Sequence, residues 1–218
     1  MIEIEKANLT DIIFDLDGTL IQSRETIYQI NRIVFGEALG REISLEESKA
    51  KFHPEFSKLF EAFEVTCPEK QKRALSYWGE VSERFSYPLF EGVTELLQNL
   101  GQLPFRLHLW TARDERSART ILAGHGLDHL FTTLSFANEV DSKPHSKSLR
   151  FDWKSAPPHT TLVIGDSPAD VIGARNIGAI RVGAVWDQNA KEVSLISAGA
   201  DMVFHEVSEF MTWLDTKV

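Results

Sequence analysis

Apolar residues follow two rhythms along this chain, with a helical block set between stretches of strand-like texture. Residues 11–16, "DIIFDL", are apolar except at the ends, Ile-rich and too short for a buried helix. They predict a strand in the core of a parallel sheet, buried on both faces. From about Gln22 to Phe85 the texture changes. In "ETIYQINRIVFGEALG" the apolar positions Ile27, Ile30, Val34 and Leu39 recur near helical spacing, and Gly40 is a plausible stop. "SLEESKAKFHPEFSKLFEAF" and "PEKQKRALSYWGEVSERF" also predict helices. Ser44 and Glu47 have capping-box spacing, and Pro68 suits a first helical turn. This block shows no clear strand and predicts an all-helical insert.

After the Pro- and Gly-bearing bend "SYPLFEGV", strand and helix patterns alternate. "GVTELLQNL" predicts a helix, "FRLHLWT" (105–111) a strand, and "DERSARTILAGHG" a helix with Asp114 as N-cap and Gly126 near its stop. "TLSFANEV" predicts a strand, "SKSLRFDWKSA" a weaker helix, "TTLVIGD" (160–166) a strand, and "PADVIGARNIG" a helix from Pro168. "AIRVGAV" is strand-like, and "ADMVFHEVSEFMTWL" a short strand followed by a helix. Such alternation predicts an α/β fold, a doubly wound parallel sheet with helices on both faces. The expected organisation is a core of residues 1–21 and 89–218 and a helical insert of residues 22–88 after the first strand. No repeats or low-complexity tracts interrupt it.

In such a sheet, ligands bind beyond the carboxyl ends of the strands. The polar residues there are Asp15 and Asp17, Thr111, Lys143 and Asp166, with Asp170 one helical turn further on. Four carboxylates in one place call for a cation. Hard oxygen ligands select Mg²⁺, which takes one or two carboxylates with water and substrate phosphate. A carboxylate can act as a nucleophile and form an aspartyl-phosphate, and a second can serve as general acid and then base. Gly18 permits a sharp turn that brings backbone N–H groups towards an anion. The helix starting past Asp166 adds a positive dipole end.

Composition narrows the partners. The 218 residues carry a net charge of −9, which argues against nucleic acid as the main partner; a small anionic substrate would need a local positive pocket. The single cysteine, Cys67, cannot form an intramolecular disulfide, which fits a reducing compartment. "MIEIEKANLT" does not resemble a secretory signal, and no window approaches the ~18 apolar residues of a membrane span. The expected location is cytoplasmic, with no membrane partner, as a monomer or homodimer.

The stretches "DLDGTL", "LWTAR", "DSKPHSK" and "GDSPAD" together resemble the four-motif signature of the haloacid dehalogenase-like (HAD) superfamily. The resemblance spans the whole chain. It is nearest to the phosphatase branch of phosphoglycolate phosphatase relatives, with a C1-type helical cap on a Rossmann-like core. It implies a Mg²⁺-dependent phosphomonoester hydrolase acting on a small phosphorylated metabolite through an aspartyl-phosphate. It implies that Asp15 is the nucleophile and Asp17 the acid and base. Thr111 would donate to a phosphate oxygen and Lys143 would neutralise charge. Asp166 would bind Mg²⁺ with Asp15 and the backbone carbonyl of Asp17. Asp170 would orient Lys143 or a metal-bound water. Gly18, Thr111, Ala112, Arg113 and Lys143 form the expected substrate-binding set.

Two departures from the family pattern stand out. Where many relatives have asparagine after the motif threonine, this chain has Ala112 and Arg113; the Ala112 N–H can still hold phosphate. The lysine loop, "SKPHSK", lacks a second proline, which makes Lys147 a rival for the lysine role; Lys143 is preferred because it directly follows the expected strand and precedes Pro144. Arg113 either steers an anionic substrate or is one more charge in "RDERSAR". Phe52, Phe56, Phe60, Phe63, Trp78 and Phe85 are expected in the insert's own core, and Trp110 in the sheet. The alternatives are a phosphomutase of the β-phosphoglucomutase type, a haloacid dehalogenase (disfavoured by Asp17) and a non-catalytic binding module.

Overall fold

Burial on both faces is what turns "DIIF" and "TLVIG" into central strands. In the computed structural model, which describes residues 9–53, 56–137, 152, 154 and 160–216, six parallel strands form one sheet in the order β3-β2-β1-β4-β5-β6. They are β1 (Asp11–Phe14), β2 (Arg106–Trp110), β3 (Thr133–Ser135), β4 (Thr161–Gly165), β5 (Ile180–Ala184) and β6 (Met202–Phe204). The chain runs outward in both directions from the β1/β4 pair, so the crevice of the sheet opens between the ends of these two strands.

Helices cover both faces of the sheet. Ile13, Trp110 and Val163 pack against Ala174 of α7 (Pro168–Asn176) and against Ala179. Phe14 points to the opposite face and meets Phe210 of α9 (Val207–Asp215) edge-on at 6.5 Å. Also present are α5 (Val93–Leu100), α6 (Glu115–Gly124) and α8 (Glu192–Ala198). Asp114 caps α6 by accepting the Ser117 N–H at 2.9 Å. Trp110 is buried in the sheet core.

The chain divides into two compact units, Met1–Gln22 with Pro88–Val218, and Ser23–Tyr87. The second contains α1 (Arg24–Leu39), α2 (Leu45–Ala50), α3 (Phe56–Ala62) and α4 (Pro68–Ser82). Its centre is Phe35, stacked on Phe63 at 4.1 Å and edge-on to Phe60 at 5.9 Å. Phe60 and Phe63 are buried, whereas Phe52, Phe56, Trp78 and Phe85 are only partly so. The Ser44–Glu47 box is half formed. Ser44 Oγ accepts the Glu47 N–H, but the Glu47 carboxylate turns to Arg41 and Lys51.

Two differences from the expected elements have local causes. Among the described residues of "TLSFANEV", pairing covers Thr133–Ser135, after which Phe136 is buried in the core. The helix α8 was not anticipated, because "EVSLISA" leaves Val193 and Ile196 exposed and shows no clean apolar stripe. The weaker helix expected over "SKSLRFDWKSA" lies largely outside the described residues. Among the described residues, no helix is long and apolar enough to cross a membrane.

Candidate active site

The site is built where β1 and β4 end. The Asp15 N–H donates to Ile164 O at 2.9 Å, which ties the two strand ends together. Past Asp15 the chain folds back tightly. Gly18, Leu20 and Ile21 are bound within the loop, and Gly18 sits at φ +79°. A side chain at Gly18 would be strained, and its Cβ would lie 2.2 Å from Asp166 Oδ2. At Gly165 a Cβ would meet Asp170 Cγ at 2.2 Å. Both glycines are therefore the reason two carboxylates can approach the loop backbone this closely.

The result is a cluster. One carboxylate oxygen each of Asp15, Asp166 and Asp170 lies within 4.8 Å of the others, and all three residues are buried. At that separation, like charges repel by on the order of 3 kcal/mol per pair at an effective dielectric near 20. Thr19, fully buried, donates its hydroxyl to Asp15 Oδ2 at 3.3 Å. Ser167 donates both N–H (3.0 Å) and Oγ–H (2.6 Å) to Asp170 Oδ2, fixing it at the start of α7. Trp186 reaches across from the loop after β5, and its indole N–H donates to Thr19 O at 2.9 Å.

Asp17 faces elsewhere. Arg113 grips it with a fork: Nε donates to Oδ2 at 3.0 Å and Nη2 to Oδ1 at 2.5 Å. The guanidinium is almost entirely buried, and its Nη1 donates to Ser117 Oγ at 2.9 Å. Thr111 is buried at the end of β2. Its N–H donates to Ser135 O and its Oγ1 accepts the Arg113 N–H at 3.1 Å. Ala112 between them is exposed.

The structure thus gathers Asp15, Asp166 and Asp170, and stations Asp17, Thr111 and Arg113 on the loops beside them. Lys143 and Lys147 lie outside the described residues. Thr19, Ser117, Ser167 and Trp186 were not singled out in the sequence. Thr19 stands inside "DLDGTL", whereas Ser117 and Trp186 carry no local signal.

An all-oxygen, buried, acidic donor set suits a hard divalent cation of the Mg²⁺ kind. Leaving three buried carboxylates without one would cost several kcal/mol per charge. Residues 12–185 match the family model described as haloacid dehalogenase-like hydrolase. The chain belongs to the haloacid dehalogenase-like hydrolases. Within this family it is 24% identical over 210 residues to pyrophosphatase PpaX of Anoxybacillus flavithermus, covering 95% of this chain and 97% of the relative. It is 26% identical over 205 residues to phosphoglycolate phosphatase of Synechococcus elongatus, covering 92% and 94%. Its fold matches a haloacid dehalogenase-like family hydrolase from Streptococcus pneumoniae with a TM-score of 0.78. That match has 20% identity and covers 94% of this chain and 98% of the other.

Proposed function

We propose that this HAD-like hydrolase is a Mg²⁺-dependent phosphatase acting on a small phosphorylated metabolite. The observation that carries the reading is the buried Asp15–Asp166–Asp170 cluster beside a separately held Asp17. The names of the relatives, phosphoglycolate phosphatase and pyrophosphatase, agree with phosphorus–oxygen bond cleavage.

In this reading a carboxylate oxygen of Asp15 attacks phosphorus. The bond from phosphorus to the substrate oxygen breaks, and Asp17 gives that oxygen its proton. Water then attacks the phosphorus of the aspartyl-phosphate and loses a proton to Asp17. The acyl oxygen–phosphorus bond breaks, releasing phosphate and restoring Asp15. Thr111 donates its hydroxyl to a phosphate oxygen, and Lys143 neutralises charge between nucleophile and phosphoryl group. Thr19 holds Asp15 in place through its hydroxyl. Asp15 and Asp166 with the Asp17 carbonyl would hold the cation, and Asp170 supports them. When bound, Mg²⁺ supplies positive charge against the phosphoryl oxygens, the main requirement of this chemistry. The helical unit contributes substrate choice as the cap.

The test is hydrolysis of p-nitrophenyl phosphate with Mg²⁺ and with chelator, for wild type and Asp15→Asn. The reading requires activity that disappears with either change, and a protein-bound phosphoryl group detectable by mass after acid quenching of the wild type. Activity that survives chelation or the substitution refutes it.

A further inference from the structure

Asp17 and Arg113 stand 96 positions apart in sequence yet form a two-pronged ion pair. Its geometry is unequal. The arginine side chain is 3% exposed and the aspartate 27%. The buried partner is therefore the fixed one. Arg113 is anchored on its far side by Ser117 Oγ, and its own N–H rests on Thr111 Oγ1. Ser117 is held in turn by the Asp114 cap of α6. A rigid chain of contacts thus runs from a helix start through a buried guanidinium to one carboxylate.

A carboxylate offers about four lone-pair sites. The fork of Arg113 occupies one on each oxygen, so the guanidinium sets the plane of the carboxylate. A lysine in the same place would present a point charge and set no such plane. Arg113 also has a desolvation cost that a surface charge would not, and the ion pair with Asp17 offsets part of it. The pair is therefore not one more ion pair of a charged loop.

We propose that Arg113 is the positioning residue for Asp17, rather than a direct substrate contact. It fixes which edge of the Asp17 carboxylate meets the leaving-group oxygen and the attacking water. The inference rests on the acid–base role of Asp17 stated above.

The experiment is a double-mutant cycle on the full chain with Mg²⁺. It uses Arg113→Met, Asp17→Asn and the pair, assayed on aryl phosphates with good and poor leaving groups. Arg113→Met is expected to lower kcat about 100-fold with little change in KM, and more for the poorer leaving group. Arg113→Lys should restore only part of this. In the Asp17→Asn background, Arg113→Met should cost no more than about twofold. Ser117→Ala, a milder change, should lower kcat in the same leaving-group-dependent manner; it carries the test should Arg113→Met fail to fold by circular dichroism. A rise in KM at unchanged kcat overturns the proposal, because Arg113 then binds substrate. So does an equal loss in the Asp17→Asn background. If Asp17→Asn alone keeps wild-type turnover, the acid–base reading itself falls.

Discussion

At the other end of β1, a second carboxylate is buried for a structural reason, and its removal has a calculable cost. Asp11 is fully buried at the start of the strand, about 13 Å from Asp15 by strand rise. His108 Nε2 lies 2.8 Å from Asp11 Oδ1, and His108 Nδ1 lies 2.8 Å from Thr133 Oγ1. Arg106 and Thr10 both donate to Asp11 Oδ2 at 2.7 Å. Burial pushes the His108 pKa down despite Asp11, so the ring is neutral. An acceptor-only carboxylate then assigns the proton to Nε2, and Thr133 donates to Nδ1. His108→Leu removes a hydrogen bond to a charged acceptor and leaves Asp11 Oδ1 buried without it. Hydrogen bonds to charged groups contribute about 1.5–3 kcal/mol, and with the orphaned Thr133 hydroxyl the expected loss is about 2–4 kcal/mol. For a chain of this length that lowers the melting temperature by about 5–15 °C. The double variant Asp11→Leu/His108→Leu leaves no buried charge behind, and the half-exposed Arg106 can turn to water. It should melt above the His108→Leu variant. Calorimetry on the three proteins decides. A single variant within about 1 °C of wild type, or a double variant that melts below the single one, refutes the network's assigned role.

Three further outcomes follow from this network and from two other contacts. Acid should act in two steps. Because His108 is depressed below its ordinary 6.5, the unfolded chain takes up a proton that the folded chain refuses, so its stability contribution is full above 6.5 and falls as pH drops below it. Burial pushes the Asp11 pKa up, but hydrogen bonds from Arg106, Thr10 and His108 outweigh it, so its contribution is lost only below about 3.8. Melting temperatures at pH 8 and pH 5.5 should therefore differ less in His108→Leu than in wild type. Gly18→Ala should remove most Mg²⁺-dependent turnover, since its Cβ and Asp166 Oδ2 cannot share the space; unchanged turnover and metal titration would contradict this. Trp78→Phe takes the N–H from Asn31 Oδ1, whose buried Nδ2 has no partner among the described residues, and should destabilise the helical unit by about 1–3 kcal/mol in urea unfolding.

What the sequence revealed, and what it hid, separates along the range of the interactions. Asp15 and Asp166 were legible because each ends an unmistakable apolar run, and a parallel sheet puts such ends on one rim. Asp114 and Pro168 were legible because capping is local chemistry. The end of β3, the helix α8 and the choice of Phe35 as the centre of the insert were not, since each depends on which neighbour covers which face. Arg113 is the sharpest case. In "RDERSAR" it is indistinguishable from its solvated neighbours, and its burial depends on a partner in another motif. Once β1 is known to pair with β2, however, register supplies the missing signal. Phe14 stands opposite Leu109, Asp17 follows three residues after Phe14, and Arg113 four after Leu109. The two loops therefore leave the sheet side by side and nearly level, so a carboxylate and a guanidinium at these offsets meet just past the rim. The fork between them comes from strand pairing rather than from either motif alone, and strand order is the step at which this candidate site becomes readable.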